Sequence, residues 1–111
     1  MTKRISWAPD YYVADIGEII STKGKKPRVL IKDYANRYPR VSINGQKFYV
    51  ADLVAECFLP NPKEPNSRIF YIDGDKTNCR VDNLTWLTSS QIQLYSQYTI
   101  EYRRNLLKGR T

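Results

Sequence analysis

The stretch RIFYIDGDKTNCRVDNLTWLT, Arg68 to Thr88, decides how this chain is read. Arg68 to Ile72 is rich in β-branched and aromatic residues and reads as a strand. Asp73-Gly74 then opens a turn in which Asp73, Asp75, Asn78, Asp82 and Asn83 follow one another closely. Short carboxylate and amide side chains bond their own backbone, so such a loop is irregular yet rigid. Leu84, Trp86 and Leu87 return the chain to an apolar core, and Thr88-Ser89-Ser90-Gln91 matches a capping box with Thr88 as N-cap. A helix is expected to start there.

Working outward from that segment, Tyr95, Tyr98, Tyr102 and Leu106 recur at three- and four-residue intervals. They predict one continuous helix with an aromatic face through about Leu107. Arg103, Arg104, Lys108 and Arg110 sit at its C-terminal end, where cations suit the helix dipole. Toward the N-terminus, Leu53, Val54, Cys57 and Phe58 have helical spacing, and the prolines of LPNPKEPN stop that helix. Before it, Tyr38 to Ile43 and Gln46 to Val50 form two strands joined at Asn44-Gly45, residues that tolerate the positive φ of a type I′ hairpin turn. Residues 9 to 21 read as a first hairpin around Asp15-Ile16-Gly17. It is followed by TKGKKPR, a basic loop or strand end that places Lys23, Lys25, Lys26 and Arg28 within six residues.

With 111 residues the chain fits one domain. The reading divides it into a β module at 6–50, a core at 51–95 and a basic helix end at 96–111. Its net charge of +7 is unevenly placed. Residues 1–50 carry ten Lys and Arg against four Asp and Glu, residues 51–100 four against six, and residues 101–111 four against one. Basic ends attract polyanions through counterion release. The nine tyrosines either fill the core of a small β-rich domain or offer flat surfaces for contact. Cys57 and Cys79 lack CxxC spacing, and with no histidine in the chain they suggest free thiols in a reducing compartment, not a zinc site. No apolar run approaches the roughly 20 residues of a membrane span, and the N-terminus lacks the apolar stretch of a signal peptide. The expected location is the cytoplasm, that of the host if the protein is phage-encoded.

Three segments, YYVADIGEIIS, YVADLVAECFLPNP and RIFYIDGDKTNCRVDNLTWLTSSQI, resemble in that order the HNH homing endonucleases of the phage type. Those have the forms YxVSxxGxVxS, VHRLVAxxF and NHIDGDKxNNxxxNLEWVTxxEN. The resemblance runs from about Ser6 to Tyr95. It implies an α+β fold, with N-terminal antiparallel hairpins followed by a ββα core and a C-terminal helix. It also implies roles that this chain does not fill. The family's metal ligand and general base fall on Phe70 and Tyr71, the metal-completing residue of the last helix on Ile92, and the histidine before the LVA helix on Ala51. Phenylalanine has no lone pair for a cation, and a tyrosine with pKa near 10 is protonated at neutral pH. Cys79 stands where the family commonly has a second Asn. The substitutions suggest a filled pocket, no metal and no cofactor.

The leading expectation is a catalytically inactive, DNA-binding regulator of a phage or mobile element. Lys23, Lys25, Lys26, Arg28, Lys32, Arg37 and Arg40, with Arg103 and Arg104, are its candidate contacts to duplex DNA. A second reading is a scaffold reused to bind and inhibit a host enzyme or defence protein. A third is a nicking enzyme with a metal on Asp73 or Asp75. The chain is expected to be a monomer, or a homodimer paired through the tyrosine stripe.

Overall fold

The computed structural model describes residues 1–108; Arg110 of the basic end lies outside them. Eight strands and three helices follow one another in an α+β arrangement. Strands β1 (Thr2–Ile5), β2 (Ala8–Ala14), β3 (Ile19–Ser21) and β4 (Arg28–Val29) form an antiparallel sheet in that order. The expected hairpin is its centre, β2 paired with β3. Strands β1 and β4 were not foreseen. Both are short and mostly exposed, so neither has the apolar alternation by which a strand is recognised.

Strands β5 (Arg40–Ile43) and β6 (Gln46–Tyr49) pair as expected. Asn44 has φ 52° and Gly45 φ 83°, the two positive angles that the Asn-Gly turn requires. Val50 is the first residue of α1 (Val50–Phe58), not the last of the strand. One cluster joins Ile5, Val13 and Ile19 of the sheet, Val41 and Ile43 of the hairpin, and Val50, Leu53 and Val54 of the helix.

Strands β7 (Arg68–Tyr71) and β8 (Leu84–Leu87) follow, paired antiparallel. A two-stranded sheet is marginal unless its faces are covered. Here alternate residues serve different cores. Ile69 and Tyr71 pack on the α1 cluster, whereas Phe70 and Ile72 join Leu87 and Leu107 in a second one, flanked by Ile92 and Tyr95.

Thr88 caps α2 (Ser89–Ser96), and both bonds of the capping box are present. The continuous helix is not. The chain tightens after Ser96, and Thr99 caps a new helix, α3 (Ile100–Leu107), by accepting from the Tyr102 amide. The break resets the helical phase, so Arg103 and Leu107 turn inward while Tyr102 and Leu106 remain exposed. The tyrosines still meet edge to face, at 6.0 Å for Tyr95–Tyr98 and 4.9 Å for Tyr98–Tyr102. They do so across the break, not along one helical face.

The loop between β7 and β8 is held by Asn83, only 3% exposed. Its side-chain oxygen accepts from the Asp73 amide at 3.0 Å, and its nitrogen donates to the Asp73 carboxylate at 2.9 Å and the Asn78 carbonyl at 3.0 Å. Asn83→Ala strands these half-buried partners and should cost on the order of 2 kcal/mol, read as a lower urea midpoint with unchanged m.

Candidate functional site

The four family positions lie far apart in sequence and come together in one cleft of about 700 Å³. Ala51 enters it from the first turn of α1, Phe70 and Tyr71 from β7, and Ile92 from α2. The cleft corrects the expectation of a filled pocket, because the substituted side chains form walls and leave the space between them open. Tyr38 and Tyr49, from the N-terminal half, complete it. Their rings are 6.1 Å apart, and Tyr38 lies 6.1 Å from Tyr71. Neither was singled out from sequence, since only folding places them opposite β7.

Burial drives the Tyr71 phenol far above its usual range, and Cys79, Tyr38 and Asp52 add to the shift. It is un-ionised at neutral pH and accepts no proton from water. Burial also raises the Asp52 carboxyl. Phe70, 7% exposed, and Ile92 belong to the second apolar cluster, so the two positions expected from sequence to correspond to metal ligands have no donor atom. These residues do not fit a divalent cation. Among the described residues no three His, Cys, Asp or Glu side chains gather as a metal group.

Asp73 and Asp75 are occupied by the loop. Asp73 accepts from the Asp75 amide at 2.8 Å, Asn78 at 2.8 Å and Asn83 at 2.9 Å. Asp75 accepts from the amide and hydroxyl of Thr77 at 2.9 and 2.6 Å. Partial burial raises the Asp73 pKa, but the hydrogen bonds and the nearby Arg104 charge outweigh it and hold the carboxyl below the ordinary range.

The candidate cations separate into three groups. Lys23, Lys25, Lys26 and Arg28 are all exposed around the β3–β4 connection, with Lys23 bonded to Asn44 and lying over the Tyr11 ring. Arg37 and Arg104 are exposed as well. Lys32 is paired with Glu18 at 3.2 Å, and Arg40 with Asp33 at 2.8 Å, so part of their charge is already neutralised. The Ala35 amide and then Arg40 keep the Asp33 carboxyl below its usual range.

Arg103 departs most from expectation. It is 9% exposed, and its guanidinium lies over the Phe70 ring at 5.4 Å. That cation–π contact is worth about 1–2 kcal/mol. Arg68 and Lys76 line the cleft and were read from sequence only as strand and turn. Arg68 donates to Ser89 Oγ at 2.6 Å, and Lys76 lies 5.3 Å over the Tyr38 ring.

Comparison with known proteins agrees with this architecture. Residues 57–94, from the end of α1 through most of α2, match the family model described as HNH endonuclease. The fold is that of an HNH homing endonuclease. A solved structure describing DNA binding and cleavage by the HNH homing endonuclease I-HmuI superposes with a TM-score of 0.70 at 26% identity. The match covers 97% of this chain and 66% of that one, so the chain spans somewhat under two thirds of its length. No curated protein matches. No helix among the described residues is long and apolar enough to cross a membrane.

The depressed Asp73 pKa has a consequence for stability. The carboxylate's contribution is fully present above the unfolded value near 4 and is lost as pH falls through the lower folded value. Acid titration of the unfolding free energy should show this loss, and Asp73→Asn should lower stability at neutral pH while flattening that part of the profile.

Proposed function

We propose that this chain binds double-stranded DNA without cleaving it, as a regulator derived from a phage or mobile-element homing endonuclease. One observation carries the reading. In the cleft, the positions that would hold a metal and take a proton from water are Phe70, Ile92, Ala51 and Tyr71, two walls of an apolar core, a methyl group and an un-ionised phenol. One-metal hydrolysis needs a cation at the scissile phosphate and a base for the nucleophile. Neither role has a side chain at these four positions.

Binding has separate support. The exposed Lys23, Lys25, Lys26 and Arg28 place four charges on one connection, and I-HmuI, of similar fold, is described with DNA. Phosphate contacts of this kind position a protein on DNA without reading bases. The exposed apolar side chains Leu94, Tyr102 and Leu106 of α2 and α3 favour the second reading, a protein partner.

Supercoiled plasmid incubated with Mg²⁺ or Mn²⁺ should remain intact; nicking that vanishes in Asp73→Ala would overturn the proposal in favour of an unconventional nuclease. In gel shifts on mixed-sequence duplex, the double change Lys25→Ala, Lys26→Ala should weaken binding about tenfold and flatten the salt dependence by about two units. Absence of retardation by the wild-type chain, together with a stoichiometric protein partner from host lysate, would favour the second reading.

A further inference from the structure

We propose that Ile31, with Val29 beside it, is an apolar wedge that enters the base stack of bound duplex DNA and bends it. The proposal rests on the DNA-binding reading and adds a deformation that phosphate contact alone does not produce. Ile31 is 93% exposed, the most open large hydrophobic side chain among the described residues. Apolar residues scattered singly on a surface are ordinary. This one is held out on a backbone fixed on both sides.

Strand β4 ends at Val29, which is paired with Ile20 at the sheet edge. The next residue, Leu30, donates its amide to the Ile19 carbonyl at 2.8 Å and packs its side chain against the α1 cluster. Past Ile31, Lys32 is tied to Glu18 at 3.2 Å, and the backbones of Asp33 and Arg40 exchange two hydrogen bonds of 2.8 Å. Turning Ile31 inward would break one of these anchors. Val29, 55% exposed, adds apolar surface two residues away. A side chain whose backbone is already fixed loses little freedom when it is inserted, so the cost of ordering it on binding is small.

The surroundings identify the occupant. No acidic residue lies between Glu18 and Asp33, whereas Lys23, Lys25, Lys26 and Arg28 precede the wedge and are exposed. Among the described residues Lys25, Lys26 and Arg28 form no salt bridge. The partner must therefore present negative charge around a surface that also accepts an aliphatic side chain. A duplex has both: phosphates outside, and apolar base faces inside a step that an inserted isoleucine partly unstacks. The cations hold the connection against the backbone, burial of Ile31 and Val29 offsets the lost stacking, and the duplex kinks at that step.

Ring closure of a linear duplex of about 100 bp, shorter than the persistence length of about 150 bp, reports bending without knowledge of a preferred sequence. The wild-type chain should speed closure about tenfold, and Ile31→Leu should retain that effect. Ile31→Ser should return closure to the rate of the free fragment. Because it removes no charge, it should keep gel-shift affinity within about threefold and the salt slope unchanged. Both substitutions fall at an exposed position and leave the core intact. A wild-type chain that retards duplex without speeding closure, or an Ile31→Ser variant that speeds it equally, overturns the wedge and leaves binding through Lys23 to Arg28 standing. Absence of any retardation overturns the wedge and the DNA-binding reading together, and the same apolar pair then fits an acidic protein surface instead.

Discussion

The β7–β8 hairpin has to bury both of its faces at once, and the rest of the structure is arranged around that requirement. Two strands of four residues each bury too little surface to stand alone. One face is covered by α1, which brings the N-terminal sheet with it; the other is covered by α2 and α3. The pleat sends Tyr71 to one side and Phe70 to the other, so adjacent residues end in different cores. The cleft opens where these two packings meet, which is why its walls come from positions as far apart as Tyr38, Ala51, Phe70 and Ile92.

That geometry separates scaffold from chemistry. The loop from Asp73 to Asn83 keeps its shape through side-chain bonds to its own backbone, and none of those bonds depends on what stands at Phe70 or Ile92. The turn therefore keeps its shape with apolar side chains at those positions. Phe70 and Ile92 add packing there, joining an apolar cluster that polar side chains would interrupt. The Arg103 guanidinium of α3 stacks over the Phe70 ring of the same cluster.

Much of the fold was legible because its signals are local. Asn44-Gly45 determines a hairpin, Thr88 with Gln91 starts a helix, and the Asx residues define the loop, each within a few residues of chain. What escaped depended on partners distant in sequence. Strands β1 and β4 lack apolar alternation and exist because β2 and β3 offer them edges. The helix break was masked by the tyrosine spacing: three rings at helical intervals read as one stripe, whereas Thr99 ends it with an N-cap that has no Glu or Gln three residues on to reveal it. The same misreading put Arg103 on the surface, for the phase of α3 follows from the break. Tyr38 and Tyr49 became visible as cleft residues only once the second hairpin was placed against β7.

Gly17 sits in the turn between β2 and β3 with φ 90°, and a Cβ there would lie 3.0 Å from the backbone of Cys79. Beside it, the Val81 amide donates to the Asp15 carbonyl at 2.9 Å. The tip of the first sheet is thus seated on the loop of the HNH segment with no room for even a methyl group. Such a seat limits interchangeability: the sheet could not be recombined onto a different ββα unit unless that unit carried a loop of the same contour. The N-terminal sheet and the ββα unit are here packed as one piece.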